Sequence, residues 1–270
     1  MNKKIKSIVA FSAAAIILTA CGTVAFTGRK QVLLFSDSEI ASLSEQSYTE
    51  FMQTAKESSD ASQTAMLVNV GKRMTAALES YLSKTGQNNA LMNLSWNFKL
   101  VESNEVNAFC MPSGKIVFYE GIMPIANTPD YIAVVMGHEM AHAIAKHGNE
   151  RMSQQISLDM VGFVAGELIG AKKGETAQSL FDLGFNVGSQ LGILLPYSRK
   201  HEYEADRIGL YIMAIAGYDI EAAPKFWEKM SAGNNASSND FFSTHPCDAK
   251  RIEALKEALP EARKFIPTGR

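Results

Sequence analysis

The sequence predicts an α+β domain that is predominantly helical and contains one small antiparallel sheet. Helix start signals or helical patterns of apolar residues occur at residues 36–56, 62–82 and 129–151, whereas strand-like segments are confined to residues 95–119. The composition, with 46% hydrophobic and 20% charged residues, is typical of a globular protein with a full-sized core. We therefore expect one domain over residues 36–270 after an N-terminal segment.

The first twenty residues have the order of regions found in an export signal. Three lysines within the first six residues precede an apolar run, residues 8–17, that is too short to span a bilayer as a stable helix. Leu18-Thr19-Ala20 then precedes Cys21, and this order resembles the bacterial lipoprotein signal. We expect removal of residues 1–20 as a signal peptide and attachment of lipid to the Cys21 thiol.

Gly22 follows the cysteine at the position where an aspartate would indicate retention at the inner membrane. We therefore expect the chain to be anchored by lipid at the outer membrane, with its domain facing the periplasm. The alternative is a secreted protein with a cysteine at this position by chance. The formal net charge of −2 gives no indication of a nucleic-acid partner.

Residues 21–35 have no periodicity and are expected to be a tether. Ser36 and Glu39 form a capping-box pattern that opens a helix to about Lys56. After a polar break, residues 62–82 have apolar residues at helical spacing. We expect these two helices to pack around the core.

The predicted sheet has three short strands, residues 95–102, 106–110 and 115–119, with a turn at residues 111–114. We expect an antiparallel sheet in front of the next helix. Its outer strand could bind an extended peptide through main-chain hydrogen bonds.

The stretch from Pro129 to Arg151 is predicted to be one helix. Thr128 is a suitable N-cap, Pro129 occupies the first helical position, and Asp130 places a negative charge in the first turn. Most positions that follow are apolar or small, which is typical of a buried helix.

This helix carries the principal candidate site. His138 and His142 are four residues apart, so their imidazoles lie on one face and can bind a single metal ion. Glu139 then lies beside that ion without binding it, where it can accept a proton from the attacking water. The alternative is two core histidines with a glutamate nearby.

Two glycine-spaced segments follow, with Gly162, Gly166 and Gly170 in the first. Such spacing allows close helix approach. The first apolar run is too short for a membrane span and the second is interrupted by polar residues, so we expect a soluble helical hairpin over residues 153–196, serving as a lid.

A catalytic zinc needs a third protein ligand. His147 lies five residues after His142, one short of the spacing in the HExxHxxGxxH pattern, and Ala145 stands in the glycine position. We expect His147 to be solvated near the helix end. Glu202 is the better candidate: it shares a helix with Asp206, so one acid can bind metal while the other holds a ligating histidine. The alternative is an acidic pair without function.

These motifs together resemble those of the zinc metalloendopeptidase family that includes HtpX, BepA, LoiP and the CAAX prenyl proteases. The resemblance extends from about Phe35 to Leu259 and is greatest to the short periplasmic lipoproteins of the LoiP type. It depends on three segments: Gly137 to His142, Glu202 to Arg207, and Thr244-His245-Pro246 with Arg251-Ile252.

The resemblance implies a zincin fold of the gluzincin type and one Zn²⁺ per chain. It implies that the metal ligands are His138, His142 and Glu202, that Glu139 is the general base, and that Asp206 supports a ligand. The segment Asn107-Ala108-Phe109 resembles the family motif on the strand beside the cleft. The implied substrates are misfolded or unassembled envelope proteins, and any outer-membrane protein partner is unknown.

His245 has two interpretations. It can be only a helix-start residue, or it can lie near the zinc, where it would block the open position or assist the transition state. With Cys21 assigned to lipid, Cys110 and Cys247 remain, and in an oxidising compartment we expect them to form a disulfide. The alternative is two separate buried thiols. The competing functions are a non-catalytic chaperone or assembly factor and a self-inhibited metalloprotein.

Overall fold

A computed structural model describes residues 21–155, 198–232, 240–245 and 249–267. The predicted signal peptide, residues 156–196 of the predicted lid, and Cys247 lie outside the described residues. Among the helices that are described, none is both long enough and apolar enough to cross a membrane.

The described chain is predominantly helical, as predicted, and it contains two small sheets where one was expected. The helices are α1 (Asp37–Thr54), α2 (Ala61–Lys84), α3 (Pro129–Ile144), α4 (Arg199–Ala216), α5 (Ala222–Ala232), α6 (Asp240–Thr244) and α7 (Ala249–Ala262). Both sides of the predicted capping box are present at Ser36 and Glu39, and Asp60 caps α2 through the amides of residues 62 and 63. Side-chain caps at Thr128 and Ser198 begin α3 and α4. The helix starts therefore follow local capping chemistry.

The strands are β1 (Cys21–Thr23), β2 (Lys30–Val32), β3 (Asn97–Val101), β4 (Ala108–Cys110) and β5 (Lys115–Tyr119). The larger sheet has the order β3-β5-β4, with β4 antiparallel and β3 parallel to β5. The prediction of a purely antiparallel sheet is therefore wrong, and the sheet is mixed. The reason is that β5 returns from β4 through a tight turn and inserts beside β3, which already runs in the direction of β5.

Helix α3 is shorter than predicted. It ends at Ile144, and residues 147–155 are helical again after a turn at Ala145 and Lys146. Lys146 has φ of 56°, a left-handed conformation that a lysine rarely adopts. Its ammonium nitrogen lies 2.6 Å from Asp37 Oδ2, which helps to hold the turn. The turn changes the direction of the chain, so His147 does not continue along the face of α3.

Helix α3 forms the centre of the core. Every residue from Ile132 to Ile144 is buried, and α3 packs against α4 where two glycines face each other. A Cβ atom on Gly137 would lie 3.0 Å from the Gly209 carbonyl oxygen, and one on Gly209 would lie 3.0 Å from the Gly137 carbonyl carbon. The two backbones therefore approach more closely than side chains would permit, next to His138.

Residues 21–35 differ from the predicted tether. Strands β1 and β2 form an antiparallel hairpin, and Val24 is only 2% exposed. The ring of Phe26 lies 5.9 Å from that of Tyr81, 6.1 Å from that of Tyr211 and 6.0 Å from that of Phe265. The hairpin is thus packed against α2, α4 and the C-terminal residues of the described chain.

Candidate metal centre

Four buried side chains from three parts of the chain converge beside α3. His138 Nε2 lies 3.1 Å from His142 Nε2, and the Glu202 carboxylate of α4 lies 3.4 Å and 3.3 Å from these two nitrogens. His245, directly after α6, places Nδ1 3.2 Å from His138 Nε2 and 3.2 Å from Glu202 Oε1. The structure therefore brings the three predicted ligands together, with His245 as a fourth member of the cluster.

The spacing of these donor atoms fits a metal ion. Tetrahedral zinc with nitrogen and oxygen donors at about 2.0–2.1 Å places those donors about 3.3–3.4 Å apart. The measured separations of 3.1–3.4 Å correspond to the edges of such a tetrahedron. A catalytic zinc site keeps its fourth position for water, and here His245 supplies a fourth donor atom to the cluster.

His138 is oriented by Asp206, as the sequence predicted for one acid of the pair. Its Nδ1 lies 2.9 Å from Asp206 Oδ1, which leaves Nε2 directed into the cluster. Burial alone would lower the pKa of His138, but the charge of Glu202 and the hydrogen bond to Asp206 raise it to about 9. The two neighbouring acids therefore favour the charged form of this ring when no metal is bound.

Arg251 links the two acids and was not predicted as a site residue. Its guanidinium lies 2.7 Å from Glu202 Oε2, donates to both oxygens of Asp206, and lies 4.7 Å from the centre of the Trp227 ring. Burial alone would raise the pKa of Glu202, but the charges of His245 and Arg251 hold it well below its usual range. Glu202 is therefore ionised and available to a metal.

His142 is held by a residue that was expected to be solvated. Its Nδ1 lies 2.9 Å from Nδ1 of His147, which is completely buried. The solvated position predicted for His147 is wrong, because the turn at Lys146 directs the ring back under α3. Burial lowers the pKa of His147 to about 4, so this imidazole is neutral near pH 7.

Glu139 lies beside the cluster and is 1% exposed. It accepts a hydrogen bond from the Cys110 amide of β4, and its Oε1 lies 3.6 Å from His245 Nε2. Within the described residues, that oxygen has no hydrogen-bond partner. Burial raises the pKa of Glu139 above its ordinary value, which is the direction expected for a general base.

Strand β4 contains Ala108 and Phe109 of the predicted substrate segment, with Asn107 directly before it, and lies at an edge of the sheet. The Ala108 amide donates to Asn107 Oδ1 at 2.9 Å, and the Phe109 ring packs against Phe51 and Tyr119. Substrate binding along this strand stays a prediction.

A small pocket of about 30 Å³ lies between α1, the α2–β3 connection and α3. Its lining includes Ile40, Leu94, Cys110 and the ligand His142. This pocket therefore lies directly beside the metal cluster and has room for about one water molecule.

Cys110 is a free, buried thiol whose sulfur donates to the Met111 carbonyl oxygen at 3.2 Å. Because Cys247 lies outside the described residues, the predicted disulfide between these two cysteines stays a prediction. Cys21 lies at the start of β1, and its predicted acylation stays a prediction.

Two imidazoles on one helix, a carboxylate from a second helix and an adjacent glutamate define a metallopeptidase centre of the gluzincin type in an α+β zincin fold. The chain matches the model of Peptidase family M48 over residues 72–259 and belongs to this family.

Several relatives are metalloendopeptidases. The chain is 36% identical over 175 residues to mitochondrial metalloendopeptidase OMA1 of Schizosaccharomyces pombe, covering 64% of this chain and 49% of that protein. It is 30% identical over 249 residues to mitochondrial metalloendopeptidase OMA1 of Bos taurus, covering 90% and 46%. It is 26% identical over 176 residues to the beta-barrel assembly-enhancing protease of Escherichia coli, covering 63% and 36%. The chain thus spans a third to a half of the length of these relatives.

Proposed function

We propose that this chain is a zinc-dependent endopeptidase of the bacterial cell envelope that cleaves misfolded or unassembled envelope proteins. The observation that carries the proposal is the buried cluster of His138, His142 and Glu202, with Glu139 directly beside it. Support for the envelope comes from the N-terminal export signal and from the name of the Escherichia coli relative. The OMA1 relatives are named as mitochondrial, so relatedness alone does not choose the compartment.

Zinc suits this set of ligands. Two imidazole nitrogens with one carboxylate oxygen are a usual protein ligand set for catalytic zinc. When bound, zinc polarises the scissile carbonyl and lowers the pKa of water.

The remaining roles in the proposed reaction belong to side chains of the protein. Glu139, with one carboxylate oxygen held by the Cys110 amide, accepts the proton of the attacking water and returns it to the leaving amine. Asp206 and Arg251 keep His138 and Glu202 in orientation.

The anchor proposed at Cys21 has a structural consequence. Because β1 begins at Cys21 and pairs with β2, the folded body starts at the proposed lipid. An acylated chain would lie directly against the outer membrane, on the periplasmic face. Replacement of Cys21 by serine should release it from the membrane fraction.

His245 supports a second candidate, a self-inhibited form of the same enzyme. Its ring fills the side of the cluster where the attacking water must bind, so cleavage requires the ring to move. A non-catalytic chaperone is less consistent with the site, because a purely structural metal centre needs no buried base such as Glu139.

The proposed activity can be tested on an unfolded polypeptide with and without a chelator. We expect chelator-sensitive cleavage that falls about 10²–10⁴-fold in Glu139→Gln, because the general base is lost. Zinc affinity should persist in that variant. The exposed Glu79 provides a matched control, and Glu79→Gln should retain activity. Equal cleavage by Glu139→Gln would contradict the proposal.

A further inference from the structure

A line of polar contacts leads outward from His142. Since His142 Nε2 faces the metal cluster, Nδ1 is the nitrogen left to position the ring, and it lies 2.9 Å from His147 Nδ1. The other nitrogen of His147, Nε2, lies 3.0 Å from Glu204 Oε2. His142 thus reaches a carboxylate through an intervening imidazole, whereas His138 reaches Asp206 directly.

This geometry fixes where the protons lie. Ionised Glu204 can only accept, so His147 carries its proton on Nε2 and offers the lone pair of Nδ1. His142 must then carry its proton on Nδ1, which leaves the Nε2 lone pair for the metal. Glu204 therefore sets the tautomer of His142 from two contacts away.

Glu204 is held in turn by the N-terminal hairpin. Arg29 Nε lies 2.7 Å from Glu204 Oε2, and Thr27 Oγ1 donates to Glu204 Oε1 at 2.6 Å. The two terminal nitrogens of Arg29 donate to both oxygens of Glu150, at 2.8 Å and 2.6 Å. One guanidinium thus holds two carboxylates at once, which the single ammonium of a lysine cannot reproduce.

Glu150, the second carboxylate held by Arg29, is also connected to His147. Glu150 Oε2 lies 3.1 Å from His201 Nε2, and the His201 ring stacks on His147 with centroids 4.5 Å apart. Arg29 therefore reaches His147 by two routes, one through the hydrogen bond of Glu204 and one through the stacked ring. The packing of Phe26 and Val24 fixes the hairpin that supplies Arg29.

We propose that Arg29 is a positioning residue of the metal centre, which fixes the orientation and tautomer of His142 through Glu204 and His147. The inference rests on the proposed metal site. According to this proposal the N-terminal hairpin contributes to the metal site, although the segment was predicted to be a tether without a functional role. The opposing interpretation is that Arg29 only fastens the hairpin to the domain.

Zinc affinity, measured by competition with a chelator, separates these interpretations. All variants carry Glu139→Gln, which prevents self-digestion and makes the result independent of proteolysis. Arg29→Met is compared with Arg73→Met, since Arg73 also fastens α4, by donating to the carbonyls of Ala216 and Gly217, but does not contact a histidine of the site. Nitrogen NMR of the imidazoles reports the tautomers.

We expect Arg29→Met to weaken zinc binding about tenfold, the lower end of the range for residues that orient metal ligands. It should also change the imidazole signals of His142 and His147, whereas Arg73→Met should change neither. Arg29→Lys should restore less than half of the lost affinity on a logarithmic scale. If Arg29→Met does not fold, Thr27→Val tests the same carboxylate and should weaken zinc binding in the same direction.

A cycle with His147→Phe tests the route. If Arg29 acts through His147, adding Arg29→Met to His147→Phe should cause no further loss of zinc affinity. A full further loss would overturn the inference, as would wild-type affinity in Arg29→Met or an equal loss in Arg73→Met. No zinc binding by the parent would overturn the proposed metal-dependent function as well, so the two failures are distinguishable.

Discussion

Replacement of Arg251 by methionine tests whether its guanidinium neutralises the acids of the site. Arg251 is 1% exposed and lies between the buried carboxylates of Glu202 and Asp206. Removing one partner of a buried ion pair costs about 3–5 kcal/mol, because the remaining charge has neither water nor a counter-ion. For a domain of this size, about 2–4 °C per kcal/mol gives a fall in Tm of about 6–20 °C.

Thermal unfolding in excess chelator and in excess zinc measures this loss. A bound divalent cation also neutralises Glu202, so we expect the larger loss in chelator. Arg263, which pairs with Glu221 at the surface, provides the control, and Arg263→Met should cost less than about 1 kcal/mol. A loss below about 1 kcal/mol for Arg251→Met in chelator, or an equal loss with and without zinc, would refute the reasoning.

Three further predictions concern the helix contact, the open position and the hairpin. Gly209→Ala should destabilise the protein by about 1–3 kcal/mol and weaken zinc binding, because its Cβ would lie only 3.0 Å from the α3 backbone at Gly137 and His138 and would push the two helices apart. Denaturant unfolding and chelator competition measure these effects. His245→Ala should raise endopeptidase activity about tenfold, because the ring loses its hydrogen bond to charged Glu202, an interaction of about 1.5 kcal/mol; initial cleavage rates measure this. Burial alone would raise the pKa of Glu204, but hydrogen bonds from His147, Thr27 and Arg29 lower it to about 2. The contribution of ionised Glu204 to the free energy of unfolding should therefore be complete above about pH 4.5 and be lost as the pH drops towards 2. This loss should be shallower in Arg29→Met, and unfolding at a series of pH values measures it.

Each of these predictions has a contrary result. Wild-type stability and zinc affinity in Gly209→Ala would show that the two helices can separate without cost. Lower activity in His245→Ala would mean that the ring assists cleavage rather than blocking it. An equally steep acid transition in Arg29→Met would show that Arg29 does not lower the pKa of Glu204.

Sequence reasoning placed the residues whose relation is set within one helix. His138 and His142 are four positions apart, and helix periodicity alone puts both rings on one face. The predicted cap at Thr128 located the start of α3, whereas the cap of α4 at Ser198 was found only in the structure. Asp206, which supports His138, could also be predicted from the sequence, because it lies one turn after Glu202 on α4.

Two short-range features were missed because they have weak sequence signals. Strands β1 and β2 contain three residues each, too few for an alternating pattern to stand out, so residues 21–35 read as a tether. The turn at Lys146 has no glycine or asparagine, the residues that usually mark a left-handed conformation. A helix that continued through Lys146 would place His147 on its surface. Because no residue type marks the turn, the buried position of His147 could not be predicted from the sequence.

The support of His142 could not be predicted for a different physical reason. Arg29 and Glu204 are 175 positions apart, and Arg29 and Glu150 are 121 apart, so no helical or strand periodicity relates them. Charged residues are mostly solvated, and a lone arginine near the N-terminus favours that reading. The partners of Arg29 are nevertheless buried, since the side chains of Glu150 and Glu204 are only 7% exposed. Buried carboxylates need a neighbouring positive charge, and Arg29 of the hairpin supplies it. The metal ligands can therefore be recognised from short sequence motifs. The contacts that hold them in place join residues that are far apart in the chain and become visible only in the folded structure.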